Sequence, residues 1–438
     1  MSVKIKINNA DGPATDYVGW APQPCQILST NGTTQRVVLS NLNPGAGGQV
    51  VFIKDLGTPV ADTLELDLPA NGNPVPFFIA GKFDRVAGVG HASTNDKDCV
   101  IKVIDKASSN QIGEKALMVR VRKDADRITS AERDRFLSAV VRLHQQGTYA
   151  DFQNMHTRQA DLEIHRRSSF LPWHRALLLD FERKLQEIDP SVALPYWRFD
   201  QPAPKVFSKD FMGVPDPTGF VDFSSTNPLI NWKPTVVGQG SGRVRRMMSF
   251  SPNARPLRVQ NNEAATLKLG TDFLILNSRR REGFCAMEAD PHGGAHDSFL
   301  GQISDPATAP ADPLFFLLHT NVDRLWAKWQ WITPGQRFNG ALPNAYLHQG
   351  SGNPALRGES GIGNFTDDTL WPWDGDFNFP RPLTGPNVPF TQSPYAATPG
   401  KIPNLKSMID YQGQHNLSAN LGFAYDDVPY DHPASPAV

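Results

Sequence analysis

The sequence predicts a two-domain protein, with a β-sandwich in residues 1–122 followed by a mainly α-helical domain in residues 123–438. Before the boundary, short alternating apolar runs are separated by clusters of Asn, Gly and Pro, a pattern typical of strands and turns. After it, apolar residues recur at the three- and four-residue spacing of helices. A chain of 438 residues with 39% hydrophobic content can bury more than one large core.

The first domain is predicted from its strand and turn signals. Strand candidates are short apolar runs, some of them alternating with polar residues, and lie at Val3–Ile7, Arg36–Leu39, Val50–Ile53 and Leu117–Val121. Turn clusters at 41–45 and 69–74 separate them. We expect a sandwich of about seven strands.

The second domain is predicted from helix start and stop signals. Thr129 or Ser130 can cap a helix that ends before Gly147 and whose apolar face carries Phe136, Val140 and Leu143. Pro172 fits the first turn of another helix, whose inward stripe is Leu178, Phe181, Leu185 and Ile188. Two stretches rich in Pro and Gly, about 201–256 and 333–405, are predicted to be loops.

Charge and cysteine content narrow the classes of function. The 43 basic and 44 acidic residues nearly cancel, so neither nucleic acid nor an anionic membrane is an expected partner. No apolar run approaches the length of a membrane span, and no apolar segment follows the N-terminal lysines, so a soluble, cytoplasmic protein is expected. Cys25, Cys99 and Cys285 are too few for a zinc ribbon. A Cys25–Cys99 pair stays open, although buried free thiols are favoured.

Six of the eleven histidines fall into two groups. In the later group, His292 and His296 are spaced so that one helix face carries both, and Asp290 and Pro291 are predicted to be its cap and first residue. His319 follows a second cap and first turn, Asp312-Pro313, and lies within a strongly apolar run. A lone pair of this spacing is more often a surface feature, and a lone histidine in an apolar helix is more often a satisfied core residue.

The earlier group is His156, His165 and His174. Nine residues separate the last two, so they cannot share a helix face, and we expect ligands from a helix, a loop and a helix. His156 is expected to end a short helix that begins at Tyr149. Three imidazoles without cysteine or carboxylate suit copper, zinc or ferrous iron, and ligand softness alone does not choose among them.

Two segments resemble the copper-site signatures of the tyrosinase family of type 3 copper proteins: Ser169–Arg175, which reads SFLPWHR, and Asp312–His319, which reads DPLFFLLH. The resemblance covers about 125–430 and implies a four-helix-bundle core that holds two copper ions. By resemblance, His156, His165 and His174 bind copper A, and His292, His296 and His319 bind copper B. Glu163 stands where many members have a cysteine crosslinked to a histidine, so the chain is similar to bacterial members.

The resemblance also implies residues around the metal. Phe315 is expected to pack on a copper B imidazole. Arg175 and Asp323 are expected to form a buried pair next to the metal ligands, and a purely structural ion pair is an equally good interpretation. Pro306, Asp297 and Glu282 are further candidates near the substrate. Gly293 occupies a position at which tyrosinases that hydroxylate monophenols often carry Asn, and Glu282 and Glu288 are nearby acids that do not quite match the family spacing.

The leading hypothesis is an oxidase that uses dioxygen to convert o-diphenols or o-aminophenols to quinones or quinone imines, with weak or absent hydroxylation of monophenols. Alternatives are a true tyrosinase and an oxygen carrier similar to haemocyanins. A zinc hydrolase is disfavoured, because the histidines come without the carboxylate of an HExxH site. Residues 1–122 are expected either to shield the site or to serve as a stabilising or oligomerising module.

Overall fold

A computed structural model describes residues 2–10, 12, 15–156, 164–234, 242–270, 275–277, 280–332, 365–378, 381, 385–386 and 402–432. The chain forms two compact units. One contains Met1–Arg122 and Tyr411–Val438, and the other begins at Lys123. The predicted second domain extended to residue 438, whereas the residues from Tyr411 onward group with the first unit.

The first unit contains two β-sheets. One sheet has the strand order β1-β3-β7-β5 and the other β2-β11-β10-β4-β6. The strands of both sheets are β1 Val3–Ile7, β2 Tyr17–Val18, β3 Gln23–Ser29, β4 Gln35–Asn41, β5 Val50–Ile53, β6 Thr63–Leu68, β7 Val75–Gly81, β10 Cys99–Asp105 and β11 Gln111–Val119. A separate hairpin pairs β8, Phe83–Asp84, with β9, Val89–Gly90.

Both sheets contribute to one hydrophobic core. Inward positions alternate along the strands, as in β3, where every second residue from Gln23 to Ser29 is buried. The core includes Ile27 and Phe77 from one sheet and Leu39 and Ile101 from the other. The described part of the sheets holds nine strands rather than about seven. One of them, β2, has two residues and is too short to show alternation.

The second unit has a helical core. Its longer helices are α1 Ser130–Gln145, α2 Tyr149–Met155, α3 Phe170–Ile188 and α4 Leu314–Ile332. Helix α3 packs against both α1 and α4. Apart from these, the helical segments among the described residues are one or two turns long, including Glu263–Thr266 and Gly294–His296.

Local signals explain where the first helices begin and end. Thr129 and Glu132 form a reciprocal capping box at the start of α1. The helix stops two residues before Gly147, whose φ of 84° is available to glycine at little cost. Of the stripe predicted for α3, Leu178, Phe181 and Leu185 are buried, while Ile188 is half-buried.

The predicted loops contain some regular structure. Within 201–256, Val214–Pro215 pairs with Val221–Asp222, and Arg246–Met248 pairs with Phe299–Gly301. Most of the predicted loop at 333–405 lies outside the described residues. In the part of the chain that the structure describes, we find no helix that is both long and apolar enough to cross a membrane.

The three cysteines are buried free thiols, as favoured from the sequence. Burial raises the pKa of Cys25 and of Cys99 to about 12, so the reactive thiolate is scarce at neutral pH. We expect neither to react with an alkylating reagent in the folded protein, and both to react after denaturation. Rapid labelling of either thiol in the native protein, followed by peptide mass spectrometry, would contradict this.

Candidate metal centre

The earlier histidine group lies on the elements expected for it. His156 caps the C-terminus of α2, His165 lies in the loop that precedes α3, and His174 occupies the second turn of α3. All three are buried. The helix–loop–helix arrangement therefore brings His156, His165 and His174 together.

The later group departs from the expected regular helix. Ala289–Gly293 forms a π-type turn in which Asp290 has non-helical φ and ψ of −152° and 122°, and a short helical segment reaches His296. The carboxylate of Asp290 does not cap this helix as predicted: it accepts hydrogen bonds from the backbone of Gln260 and Asn261. Helix α4 does begin as predicted, because Asp312 accepts from the Leu314 N–H at 3.0 Å.

The six histidines form one cluster. Within the earlier group the ring centroids are 5.0–5.5 Å apart, and within the later group 4.8–5.3 Å apart. The two groups meet where His174 stacks on His319 at 4.2 Å. Two sets of three have nitrogen atoms within 4.8 Å of one another: His156, His174 and His319, and His292, His296 and His319.

Backbone carbonyls orient four of the rings. The Nδ1 atoms of His156, His174, His292 and His296 lie 2.6–2.7 Å from the carbonyl oxygens of Pro306, Phe170, Glu288 and Ile303. If Nδ1–H donates to each carbonyl, the lone pair remains on Nε2. Among the described residues, the buried Nε2 atoms of His156, His174 and His292 have no hydrogen-bond partner. Such atoms are costly to bury unless a metal ion uses them, so the residues fit a bound metal.

Electrostatics keep five of the imidazoles in the cluster neutral. Burial lowers the pKa of His156, His174, His292 and His319 well below the usual value, and the neighbouring histidines lower it further. Burial likewise lowers the pKa of His296 to about 4. Neutral imidazole is the form that ligates metals, and the cluster is therefore ready to bind cations at neutral pH.

Several residues predicted around the metal contact the histidines or their helices. The Phe315 ring lies 4.2 Å from that of His319. Pro306 contributes its carbonyl oxygen to His156. Arg175 and Asp323 form a fully buried ion pair at 2.6 Å that joins α3 to α4, and the guanidinium also stacks on Trp326 at 3.7 Å.

The other predicted residues are less directly placed. Gly293 has ordinary helical φ and ψ, and among the described residues a Cβ added there would meet only the Glu288 carbonyl oxygen, at 3.5 Å. Asp297 is exposed and follows His296. Glu282 lies on the short strand Arg280–Glu282, and its side chain is not among the described parts of the structure.

An ion pair that the sequence did not reveal lies close to the helix that bears His319. Arg246 donates from Nε to Asp312 Oδ2 at 2.7 Å and from Nη1 to the Met212 carbonyl at 2.7 Å. Both partners of the pair are almost completely buried. Sixty-six residues separate them in the chain, so no local pattern signals the pair.

His144, one of the histidines outside the two groups, makes structural contacts. Its Nε2 atom lies 2.8 Å from the Lys233 carbonyl oxygen. Its ring packs on Trp232 at 4.2 Å. These contacts fasten α1 to the neighbouring segment.

The fold and the site define a metalloprotein whose centre is built from histidines on a helical core. Residues 146–332 match the family model described as the common central domain of tyrosinase. The chain is 34% identical over 248 residues to the tyrosinase of Streptomyces glaucescens, covering 51% of this chain and 86% of that protein. It is 29% identical over 262 residues to the grixazone synthase of Streptomyces griseus, covering 49% and 85%.

Among solved structures, a functional unit of octopus hemocyanin has a TM-score of 0.43 and 18% identity, covering 72% of this chain and 71% of that one. On the sequence matches, the chain belongs to the tyrosinase family. It is a copper-dependent oxidoreductase with a dinuclear copper cofactor, and it belongs to a family that acts on phenolic substrates with dioxygen.

Proposed function

We propose that His156, His165 and His174 hold copper A and that His292, His296 and His319 hold copper B. The observation that carries this assignment is the set of buried Nε2 atoms at the centre of the cluster, of which those of His156, His174 and His292 have no partner among the described residues. The Nε2 atoms of His296 and His319 lie 3.2 Å apart, a separation compatible with two ligands of one ion. Ring contacts alone do not divide the six histidines, because His174 and His319 form the shortest ring contact, at 4.2 Å, and His319 also lies close to His156. The division into two groups of three, with His165 in the first, therefore follows the sequence resemblance.

The bound copper pair supplies two-electron redox chemistry with dioxygen. The protein supplies fixed ligand directions, because each oriented Nδ1 is hydrogen-bonded to a carbonyl on a helix or turn. Phe315 restricts the His319 ring to one orientation by packing on it at 4.2 Å. The Arg175–Asp323 pair adds a rigid link between the helix of His174 and the helix of His319.

We further propose that the physiological substrates are o-diphenols or o-aminophenols rather than monophenols. Hydroxylating a monophenol requires removal of a proton from a weak acid beside the metal, which calls for a positioned acceptor. Gly293 follows the first copper B histidine and offers no side-chain amide to orient such an acceptor. An o-diphenol loses its proton more readily and needs this help less.

The nearby acid Glu288 supports the same preference. Its Oε1 atom accepts the backbone N–H of Arg166 at 2.7 Å, next to His165. Its backbone carbonyl accepts from His292. Glu288 is thus engaged in holding both histidine groups, which makes it a poor free base. Exposed Asp297, beside His296, adds negative potential that favours substrates with an amino group over carboxylated ones.

Replacing Gly293 with Asn is expected to raise monophenol hydroxylation relative to catechol oxidation by about tenfold, below the full effect of a general base. The site has room for the change, since a Cβ at Gly293 meets only one atom at an ordinary contact distance. Initial rates on a monophenol and on its catechol give the ratio.

Gly293→Ala is the matched control, because it adds the Cβ without the amide and should leave that ratio unchanged. Equal initial rates on the monophenol and its catechol in the unmutated protein would overturn the proposed preference.

The proposed function as a whole is tested by metal analysis and oxygen consumption. We expect two copper ions per chain, and oxygen uptake when a catechol or an o-aminophenol is added to the copper-loaded protein. One ion per chain, or a copper-loaded protein that binds dioxygen reversibly without oxidising either substrate, would exclude it.

A further inference from the structure

The proposed copper B ligands lie on two separate elements. His292 and His296 lie on the irregular segment Ala289–His296, and His319 lies on α4. A third segment, Arg258–Glu263, contacts both elements, and we call it the strap. Its first end meets the irregular segment and its second end meets α4.

The first end is clamped by one carboxylate. Asp290 accepts the backbone N–H of Gln260 at 3.0 Å on one oxygen and that of Asn261 at 2.7 Å on the other. The Asn261 side chain returns a hydrogen bond to the Asp290 carbonyl at 3.3 Å. Asp290 is two residues from His292, so the clamp acts directly beside a proposed ligand.

Glycine lets the strap approach closely. A Cβ added to Gly294 would lie 2.3 Å from the carbonyl oxygen of Arg258, a separation that real side chains do not tolerate. Gly294 lies between His292 and His296 in sequence. The strap backbone therefore packs directly on the turn that carries the two histidines.

The second end is clamped by three cations. Glu263 accepts from Arg324 at 2.7 Å, Lys328 at 2.7 Å and Arg198 at 3.2 Å. Burial alone would raise the pKa of Glu263, but these charges outweigh it and lower the pKa. Arg324 and Lys328 lie on α4, in the turns that follow His319.

The two clamps are joined by a short, ordered connection. Asn262 caps the one-turn helix Glu263–Thr266 by accepting from the Ala265 N–H at 2.9 Å. Glu263 is the first residue of that helix and lies two residues after Asn261. Only Asn262 lies between Asn261, which Asp290 holds, and Glu263, which the three cations hold.

We propose that the strap sets the spacing between the turn bearing His292 and His296 and the helix bearing His319, which makes Asp290 and Glu263 positioning residues for copper B. The proposal rests on the ligand assignment given above. It predicts a selective effect on one of the two copper ions, because the hydrogen bonds and ion pairs described for the two clamps join the strap to the irregular segment, to α4 and to Arg198.

The test is a titration of the metal-free protein with cuprous ion against a competing chelator. For Asp290→Asn, which places an amide N–H against a backbone N–H, we expect one copper equivalent to bind about 10–100-fold more weakly and the other to bind unchanged. Glu263→Gln should act in the same direction. Lys328→Gln removes one of three cations, should leave folding intact, and is expected to give a smaller selective loss.

Asp126→Ala is the control for the loss of a carboxylate that binds a loop. One oxygen of Asp126 accepts the backbone N–H groups of Lys205 at 2.6 Å and Val206 at 3.2 Å, so Ala is needed to remove both bonds. Among the described residues, neither bond involves a histidine of the cluster. The replacement should leave both copper affinities unchanged. The Asp290→Asn, Glu263→Gln double variant should lose less than the sum of the single losses, since both act through one strap.

If both copper equivalents are weakened equally, or if the variants bind copper as the unmutated protein does, the proposed role of the strap is wrong and the proposed function is unaffected. If the unmutated protein fails to bind two copper equivalents, the proposed function is wrong, and so is the role of the strap that rests on it.

Discussion

Replacing His319 with Ala is expected to reduce oxygen consumption on a catechol by more than about a hundredfold, because changes to residues that merely support metal ligands already cost roughly 10–100-fold. His319 lies at the centre of the cluster, fully buried and shared by both sets of close nitrogen atoms. Copper per chain, measured on the same preparation, should fall as well. His174→Ala should behave similarly.

His144→Ala is the control for the loss of an imidazole as such. His144 packs on Trp232 and contacts the Lys233 carbonyl, away from the cluster. Its replacement should leave copper content and oxygen consumption nearly unchanged. Near-normal activity in both His319→Ala and His174→Ala would refute the ligand assignment.

Replacing Arg246 with Met is expected to lower the free energy of unfolding by about 3–5 kcal/mol, because it leaves the Asp312 carboxylate buried without its charged partner. Asp312 also caps α4, so the loss should loosen the start of the helix that carries His319. Denaturant unfolding of the metal-free protein measures the effect without the added stability of bound copper.

Arg243→Met provides the comparison within the same stretch of chain. Arg243 is about half exposed and pairs with Asp222 at 3.0 Å, so its loss should cost at most about 1 kcal/mol. Combining Arg246→Met with Asp312→Asn should recover much of the loss, since no buried charge remains and Asn can still cap the helix. Equal destabilisation by the two arginine replacements would contradict this account.

Local spacing in the sequence placed His292 and His296 on one turn, whereas the full set of six histidines was recognised through the family resemblance. Caps could also be assigned locally at Thr129 and Asp312, since a cap lies within a few residues of the helix it serves. Asp290 also looked like a cap, but its oxygens bond to Gln260 and Asn261. The sequence around Asp290 contains nothing that distinguishes the two uses.

Contacts between distant segments explain what the sequence could not reveal. The Arg175–Asp323 pair was predicted only because both residues fall within segments that resemble a known family. The Arg246–Asp312 pair and the clamps on Glu263 join segments with no shared periodicity. The number of strands was underestimated, and β2 shows one reason: it has only two residues, and its pairing with β11 rather than its own pattern makes it a strand.

The β unit is discontinuous in the chain, and this affects the order in which it can be completed. Trp20 donates its indole N–H to the Tyr425 carbonyl, Arg122 stacks on Phe423 at 3.8 Å, and Ala424 belongs to the same core as both sheets. During synthesis the β unit cannot be completed until residues near 425 have been made, about three hundred positions after β11. The intervening helical core is synthesised in the meantime. Removing residues 1–122 alone would strip Ala424 and Tyr425 of their partners, so any experiment that isolates the catalytic unit must remove both parts of the β unit together.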